Sequence, residues 1–208
     1  IDGRAQQRFA DERPVIAADR SRYVYFNDTQ EVPPNAAPRI LNRHHTIHAA
    51  VDIPEDGAEG VLVSQGGVDG GFTFFIKDGK LRYTYNYCAV DHYHVVSDAE
   101  VPVGKHILSL EWEPTGEADP MKGKGVPAKV SLFVDSEPAG TGELPVTIPL
   151  SLGLAGGVSV GRDAGAPVTE EYSAPFAFGG SLERLVYDVS GESVVDHETE
   201  IRIALARQ

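Results

Sequence analysis

The sequence predicts an all-β domain, built as a sandwich or a barrel. Short runs of alternating or apolar residues recur along the chain at roughly 8–12-residue spacing, as in such folds. The 208 residues include 22 glycines and 14 prolines, which suits many turns, and 41% hydrophobic residues suffice for a sizeable core. The sequence lacks the alternation of strands with helices that would indicate a parallel sheet.

The elements before residue 65 are a connector and three strands. We expect residues 1–20 to form a connector or arm and residues 21–208 to form a single domain. Residues 45–53 alternate clearly, so that Thr46, His48, Ala50 and Asp52 share one face. The other predicted strands of this part cover residues 22–26 and 61–64.

The clearest element is a β-hairpin over residues 72–87. Asp78-Gly79 favours a type I′ turn, because both central residues of that turn need a positive φ. The turn pairs Phe74 with Tyr83, and a slip by one residue would pair apolar with polar side chains. One face then carries Phe72, Phe74, Ile76, Leu81, Tyr83, Tyr85 and Tyr87. The other is mostly polar and carries Thr73, Phe75, Lys77, Lys80, Arg82, Thr84 and Asn86.

The aromatic face of the hairpin requires a second layer. Each of its five rings can bury roughly 150–250 Å². Together they exceed the roughly 300–600 Å² apolar patch that a typical monomer exposes. The glycines that precede the hairpin, at residues 66–67 and 70–71, favour a tight turn or a close approach of two backbones.

The elements after the hairpin are further strands and one helix. In residues 106–113, Ile107, Ser109, Glu111 and Glu113 share one face. Residues 136–139 are predicted to turn the chain. The other predicted strands cover residues 93–97, 103–104, 129–134, 144–154, 158–160 and 182–189. Helical spacing predicts a short C-terminal helix over residues 196–206.

The charge restricts the possible binding partners, and the cysteine content bears on the compartment. The net charge is −13 and the pI about 4.9, which argues against binding to nucleic acid and to anionic membrane surfaces. No apolar run approaches the roughly 20 residues that span a bilayer. The single cysteine, Cys88, cannot form an internal disulfide, which favours a reducing, cytoplasmic compartment.

Three groups of residues could carry chemistry, and each also has an ordinary structural explanation. His92 and His94 share a strand face and could chelate zinc with a third ligand, or lie on the surface. Asp69 and Asp163 could bind calcium at a sandwich rim, or form turns. Glu111 and Glu113 resemble the paired carboxylates of sandwich glycosidases, or face solvent.

Several segments in combination resemble the C-terminal region of long bacterial arylsulfatases. They include Glu59–Gly67, Gly70–Phe72, Lys77–Leu81, Tyr83–Asn86 and Phe178–Leu182. The last of these is also similar to laminin-G-like domains. The resemblance implies a two-sheet antiparallel jelly-roll sandwich, concanavalin A-like. It also implies a non-catalytic accessory domain that packs on the catalytic domain of a parent sulfatase.

The catalytic chemistry of a sulfatase is absent from this sequence. Sulfatases use a formylglycine made within a C/S-x-P/A-x-R motif, together with calcium, but Ala, Val and Asp follow Cys88 here. We therefore expect no catalytic residue, no metal and no cofactor in this chain, with formylglycine and calcium belonging to the parent enzyme.

The alternative that the sequence leaves open is a carbohydrate-binding, laminin-G-like or lectin-like module. In that case exposed aromatic side chains such as Phe75 and Tyr93 would contact the glycan, near the pair His92 and His94. The candidate binding or interface residues are Gln65, Asp69, Phe75, Asn86, His92, Tyr93 and His94. A third hypothesis is a glycosidase that uses Glu111.

Overall fold

Two β-sheets packed face to face form the protein. The computed structural model describes residues 20–27, 29, 31–119, 122–149, 156–163 and 165–192. Within these residues the chain forms β-strands joined by turns and loops, which confirms the predicted all-β sandwich. The C-terminal helix predicted over residues 196–206 lies outside the described residues, as does nearly all of the predicted connector. No described helix has the length and apolar character needed to cross a membrane.

The first sheet has six strands, and all neighbours are antiparallel. Their spatial order is β1 (Arg22–Tyr25), β13 (Ser181–Asp188), β2 (His45–Ile53), β7 (Gly104–Pro114), β8 (Ala128–Val134) and β9 (Glu137–Leu144). The first and last strands of the described chain therefore pair with each other at one edge of this sheet.

The second sheet has seven strands. Their spatial order is β11 (Arg162–Asp163), β12 (Phe176–Ala177), β3 (Gly60–Gly67), β4 (Gly70–Lys77), β5 (Lys80–Tyr87) and β6 (Asp91–Glu100), with β10 (Val158–Val160) also on β3. Only the β12–β3 pair is parallel among the described strands.

The predicted hairpin forms with its predicted register. Phe74 pairs with Tyr83 across β4 and β5, and Asp78 and Gly79 have φ values of 51° and 71°, as a type I′ turn requires. The six inward side chains of the hairpin before Tyr87 are 0–3% exposed. The first sheet supplies the required second layer, in which Leu108, Leu110 and others are fully buried.

The glycines before the hairpin bring two backbones together. Gly66 and Gly71 face each other across β3 and β4, with φ values of 108° and 138°. A Cβ atom on Gly66 would lie 2.2 Å from the carbonyl oxygen of Gly70. This confirms the predicted close backbone approach, which a larger residue would prevent.

One edge strand differs from its prediction. Residues 136–139 were expected to turn, but β9 runs from Glu137 to Leu144 and the turn is formed by Asp135 and Ser136. A strand was expected over residues 144–154, but residues 145–149 form no strand, and residues 150–154 lie outside the described residues. Proline and glycine in this segment favour a turn in sequence terms. They are tolerated here because an edge strand pairs on one side only, and because Gly140 and Gly142 lie against Val96 and Val95 of β6.

The outer face of the seven-stranded sheet is not open. Residues 165–175, which we call the strap, cross it. Tyr172 of the strap packs on Phe75 with ring centroids 5.2 Å apart, and Val61 and Phe176 complete this small apolar cluster. Thr73, Phe75 and Thr84 are consequently fully buried. The second face of the predicted hairpin is thus largely buried despite its polar composition.

Candidate functional site

One anchor of the strap on the sheet is the carboxylate of Glu171. Its Oε1 accepts a hydrogen bond of 2.8 Å from Arg82 Nη1, and its Oε2 accepts one of 2.6 Å from Thr84 Oγ1. His94 Nδ1 lies 3.1 Å from the same Oε2, and Lys77 Nζ donates to the backbone oxygen of Glu171. Burial acts to raise the pKa of Glu171, but these partners hold it below its usual value.

A second anchor of the strap is Asn86. Its Nδ2 donates to the carbonyl oxygens of Val68 and Val168, each at 3.0 Å, and its Oδ1 accepts a hydrogen bond of 2.7 Å from Ala89 N. The side chain therefore ties together the β3–β4 turn, the β5–β6 turn and the strap. With both ends engaged, Asn86 serves the fold and has little capacity left for a ligand.

A cleft of about 690 Å³ opens beside the strap. Its walls include Asn86, His92, Thr169, Glu170 and Tyr172. The hydroxyl of Tyr172, however, is already engaged with Thr73 Oγ1 at 2.9 Å and Asp163 Oδ2 at 2.8 Å. The buried polar groups of the cleft are thus satisfied within the protein.

The structure separates the binding residues that the sequence suggested. Asn86 and His92 line the cleft, and Asp69 is exposed on the β3–β4 turn. Tyr93 is half-buried against the core. His94 contacts Glu171, and its ring lies 6.4 Å from that of His92.

Three of the suggested binding residues are buried, namely Asn86, Phe75 and Gln65. The expectation of an exposed Phe75 was wrong, because the strap covers this ring completely. Gln65 is also buried, because it pairs with the inward-facing Phe72, and its Oε1 has no hydrogen-bond partner among the described residues.

The sequence suggested that Asp69 and Asp163 bind calcium or form turns, and in the structure Asp163 has a structural role. This side chain is 5% exposed; it accepts hydrogen bonds from the Tyr172 hydroxyl and from Gly165 N. Burial raises its pKa above the usual value, against these hydrogen bonds. Asp163 therefore fixes the strap to β11, while Asp69 is on the exposed turn.

A groove of about 450 Å³ crosses the outer face of the six-stranded sheet. Neighbouring strands supply its floor, because residues paired across a sheet point to the same side. Val186, His48 and Ser109 form one such row across β13, β2 and β7. The remaining lining residues are Arg22, Thr46, Ala50, Ile107, Leu110, Glu111, Phe133, Ser136 and Arg184.

His48 organises the polar floor of the groove. Its Nδ1 lies 2.8 Å from Ser109 Oγ, and its Nε2 lies 3.0 Å from Thr46 Oγ1. Burial lowers the pKa of this imidazole below its usual value, although Asp188 and Glu111 act in the opposite direction. A neutral imidazole donates through one nitrogen and accepts through the other, so it fixes both hydroxyls in defined directions.

Charged groups stand at the sides of the groove. Among the described residues, Arg22 forms no ion pair, and Arg184 contacts only the exposed Glu183, at 4.0 Å. Glu111 bonds His44 Nε2 at 2.8 Å. The two guanidinium groups are thus available to bind an anionic group in the groove. Ile107 (49% exposed) offers an apolar surface on β7, two strands away from Arg184.

The sequence placed several groove residues on one face of a strand, but it did not bring them together. Alternation correctly grouped Thr46 with His48, and Ser109 with Glu111. Their contact depends on the pairing of β2 with β7, two strands about 60 residues apart. Arg22 had no signal of its own, since one arginine in a short strand is ordinary.

Comparison with known proteins identifies the fold. No protein-family model matches the chain, and no curated protein matches it. Among solved structures, the chain is similar to the carbohydrate-binding module CBM40 of the Ruminococcus gnavus IT-sialidase, with 18% identity, a TM-score of 0.51, and coverage of 88% of this chain and 96% of that one.

Two further structures illustrate the range of similarity. The same Ruminococcus module bound to α2,3-sialyllactose aligns with 17% identity and a TM-score of 0.50 over 88% of this chain and 96% of that one. Domains LG4–5 of the mouse laminin α1 chain align with 14% identity and a TM-score of 0.46, over 83% of this chain and 40% of theirs. At such identities the CBM40 likeness shows the fold, a two-sheet jelly-roll sandwich.

Proposed function

We propose that this chain is a carbohydrate-binding module and that the groove on its six-stranded sheet binds a glycan carrying a carboxylate. The observation that carries the proposal is the groove itself, in which hydroxyl and imidazole groups alternate with apolar side chains between two arginines. Its volume of about 450 Å³ falls in the usual range for small-molecule sites.

The chemistry of the groove suits a sugar. A pyranose ring presents hydroxyls at its edge and C–H groups on its faces, so it needs hydrogen-bonding and apolar partners side by side. Thr46 and Ser109 supply oriented hydroxyls, and Ile107 and Phe133 supply apolar surface. The proposed glycan contact does not use the ring of Phe75, which is buried.

The arginines favour an acidic sugar over a neutral one. Guanidinium groups bind carboxylates through paired, charge-assisted hydrogen bonds. The overall charge of −13 opposes an anionic ligand at long range, but at physiological salt this field is screened beyond roughly 8 Å. The attraction of the two nearby arginines for an anionic ligand therefore outweighs the repulsion from the net charge. The Ruminococcus module of like fold, which was solved with α2,3-sialyllactose, supports the choice of ligand class.

The test compares α2,3-sialyllactose with lactose by titration calorimetry on the full chain. We expect the acidic trisaccharide to bind more tightly, and Arg184→Ala to weaken its binding roughly tenfold or more, since a charge-assisted hydrogen bond contributes about 1.5–3 kcal/mol. Lactose binding should change little in the same variant.

A matched variant distinguishes the groove from the cleft. Glu170→Ala changes an exposed cleft residue on the opposite side of the sandwich and should leave glycan binding unchanged. Loss of binding in Glu170→Ala but not in Arg184→Ala would move the site to the cleft. Equal affinity for the two sugars would contradict the acidic specificity, and binding of neither at millimolar concentration would contradict the function.

The sequence resemblance supports a second proposal, namely that this module is the accessory domain of an arylsulfatase. It rests on the segments between Glu59 and Leu182 named above, and glycan binding is compatible with it, because such a module can hold a sulfated polysaccharide near a partner enzyme. We propose that this chain itself has no catalytic activity and holds neither the formylglycine nor the calcium of a sulfatase. Hydrolysis of p-nitrophenyl sulfate by the isolated chain would contradict that.

A further inference from the structure

Three metal-ligating side chains meet at one end of the groove. His44 directly precedes β2, and Glu111 and Glu113 point outward from β7. One ligand atom of each lies within 4.8 Å of the other two. All three side chains are partly buried, and Glu111 also lines the groove.

The balance of charge at this cluster favours a cation. Two carboxylates approach each other here, and among the described residues the one basic side chain that contacts them is His44, whose Nε2 lies 2.8 Å from Glu111 Oε1. Glu113 has no ion pair or hydrogen bond with any described residue. Lys129 of β8 is the strand-pairing partner of Glu113, yet the two side chains form no salt bridge in the described part of the chain.

We propose that His44, Glu111 and Glu113 bind a divalent transition-metal ion, with Zn²⁺ as the preferred ion among those biologically abundant. Zinc takes imidazole nitrogen and carboxylate oxygen at roughly 2.0–2.2 Å, so the ligand atoms of a tetrahedral site lie about 3.3 Å apart. The ligand atoms of the cluster all lie within 4.8 Å of one another, so they must approach by at most about 1.5 Å to reach that spacing. An imidazole ligand disfavours Ca²⁺ and Mg²⁺, which take oxygen ligands.

The site would leave coordination positions open. Three protein ligands complete only part of a tetrahedral sphere, and the remaining position takes water or an exogenous oxygen. Because Glu111 belongs to both the cluster and the groove, the bound ion lies where a groove ligand could reach it. The inference does not depend on glycan binding, and its test uses the metal alone.

The experiment is a calorimetric titration of the full, metal-free chain with ZnCl₂. We expect one Zn²⁺ per chain at this site, and a loss of affinity of at least tenfold in both His44→Ala and Glu113→Gln. Glu113→Gln is the sharper variant, because it leaves the His44–Glu111 contact in place and so leaves the fold undisturbed. The same titration with CaCl₂ should show no binding at the cluster.

A matched histidine serves as the control. His92→Ala removes one of the two exposed histidines of the other pair and should leave the zinc site intact. Co²⁺ added to wild type should give visible d–d absorption that Glu113→Gln abolishes and His92→Ala retains. Zinc affinity that is unchanged in both cluster variants, or lost in His92→Ala instead, would overturn the proposal, as would an absence of zinc binding.

Discussion

The outer faces of the two sheets are used in opposite ways. On the seven-stranded sheet the strap covers Thr73, Phe75 and Thr84, and its own Glu171 and Tyr172 bond the polar groups beneath them. On the six-stranded sheet the corresponding face remains a groove with exposed charge at its sides. Both faces carry polar side chains, so composition alone does not distinguish them.

The difference shows how a sandwich separates stability from recognition. A polar group whose hydrogen-bonding positions are all paired within the protein is stabilising but has none left to offer, whereas a hydroxyl with a single partner keeps further positions free. The covered face therefore contributes to the fold, and the open face retains Arg22, Arg184 and the hydroxyls of Thr46 and Ser109 for a ligand. Three pairs of substitutions test this division.

The largest expected effect is at the centre of the covered face. Phe75→Ala removes a ring that is 0% exposed and packs on Tyr172, and we expect a loss of about 3–5 kcal/mol in the free energy of unfolding. On the open face, Ile107→Ala should cost under about 1 kcal/mol. Urea denaturation of the two variants measures both values. Similar losses in the two variants would abolish the distinction between the faces.

The next effect concerns the two imidazoles of β2, which point to opposite sides. His45 is buried beside Trp112, with stacked rings 5.3 Å apart. Burial lowers its pKa from the usual 6.5 to about 4, against a hydrogen bond to the Arg43 carbonyl that acts to raise it. As the pH falls, His45 therefore binds a proton at a higher pH in the unfolded chain than in the folded chain. His45 reduces stability progressively as the pH falls from about 6.5 to about 4, by about 3 kcal/mol in total.

The measurement is the pH dependence of unfolding in wild type and His45→Phe. Replacement should remove most of this acid-induced loss, whatever its effect at neutral pH. His48→Phe on the open face should remove a much smaller part of the acid-induced loss of stability. An unchanged pH profile in His45→Phe would show that the buried imidazole is not the group that titrates.

The smallest effect is at the link between strap and sheet. Glu171→Gln weakens its contacts with Arg82, Thr84 and His94, and we expect a loss of about 1–2 kcal/mol at neutral pH. Because the folded pKa of this carboxyl is depressed, the contribution is complete above the usual pKa and disappears as the pH falls through the folded value. The exposed Glu183→Gln is the control and should change stability by under about 0.5 kcal/mol. A Glu171→Gln variant as stable as that control would show that the strap is held by its apolar contacts alone.

Local sequence rules were sufficient for the hairpin. The Asp78-Gly79 turn and the alternation from Phe72 to Tyr87 determine its register, because each depends on neighbouring residues only. The same rules failed at β9, where Pro138 and Gly140 favour a turn and the edge position of the strand overrides that preference.

Contacts distant in sequence could not be predicted. Thr73 and Tyr172 are 99 residues apart, and nothing within the hairpin indicates that a later loop will cover its polar face. The groove and the metal cluster have the same origin. Alternation placed Glu111 and Glu113 on one strand face, but only the β2–β7 register brings His44 within 2.8 Å of Glu111.

The pairing of β1 with β13 has a consequence for how the protein is made. A ribosome releases the chain from the N-terminus, so β1 and one edge of β2 remain without their partner until residues 181–188 have been synthesised. Such non-local pairing slows folding and leaves strand edges exposed in the nascent chain. Since β13 also supplies Arg184 and Val186 to the groove, a nascent or truncated chain that lacks this strand lacks part of the proposed binding surface.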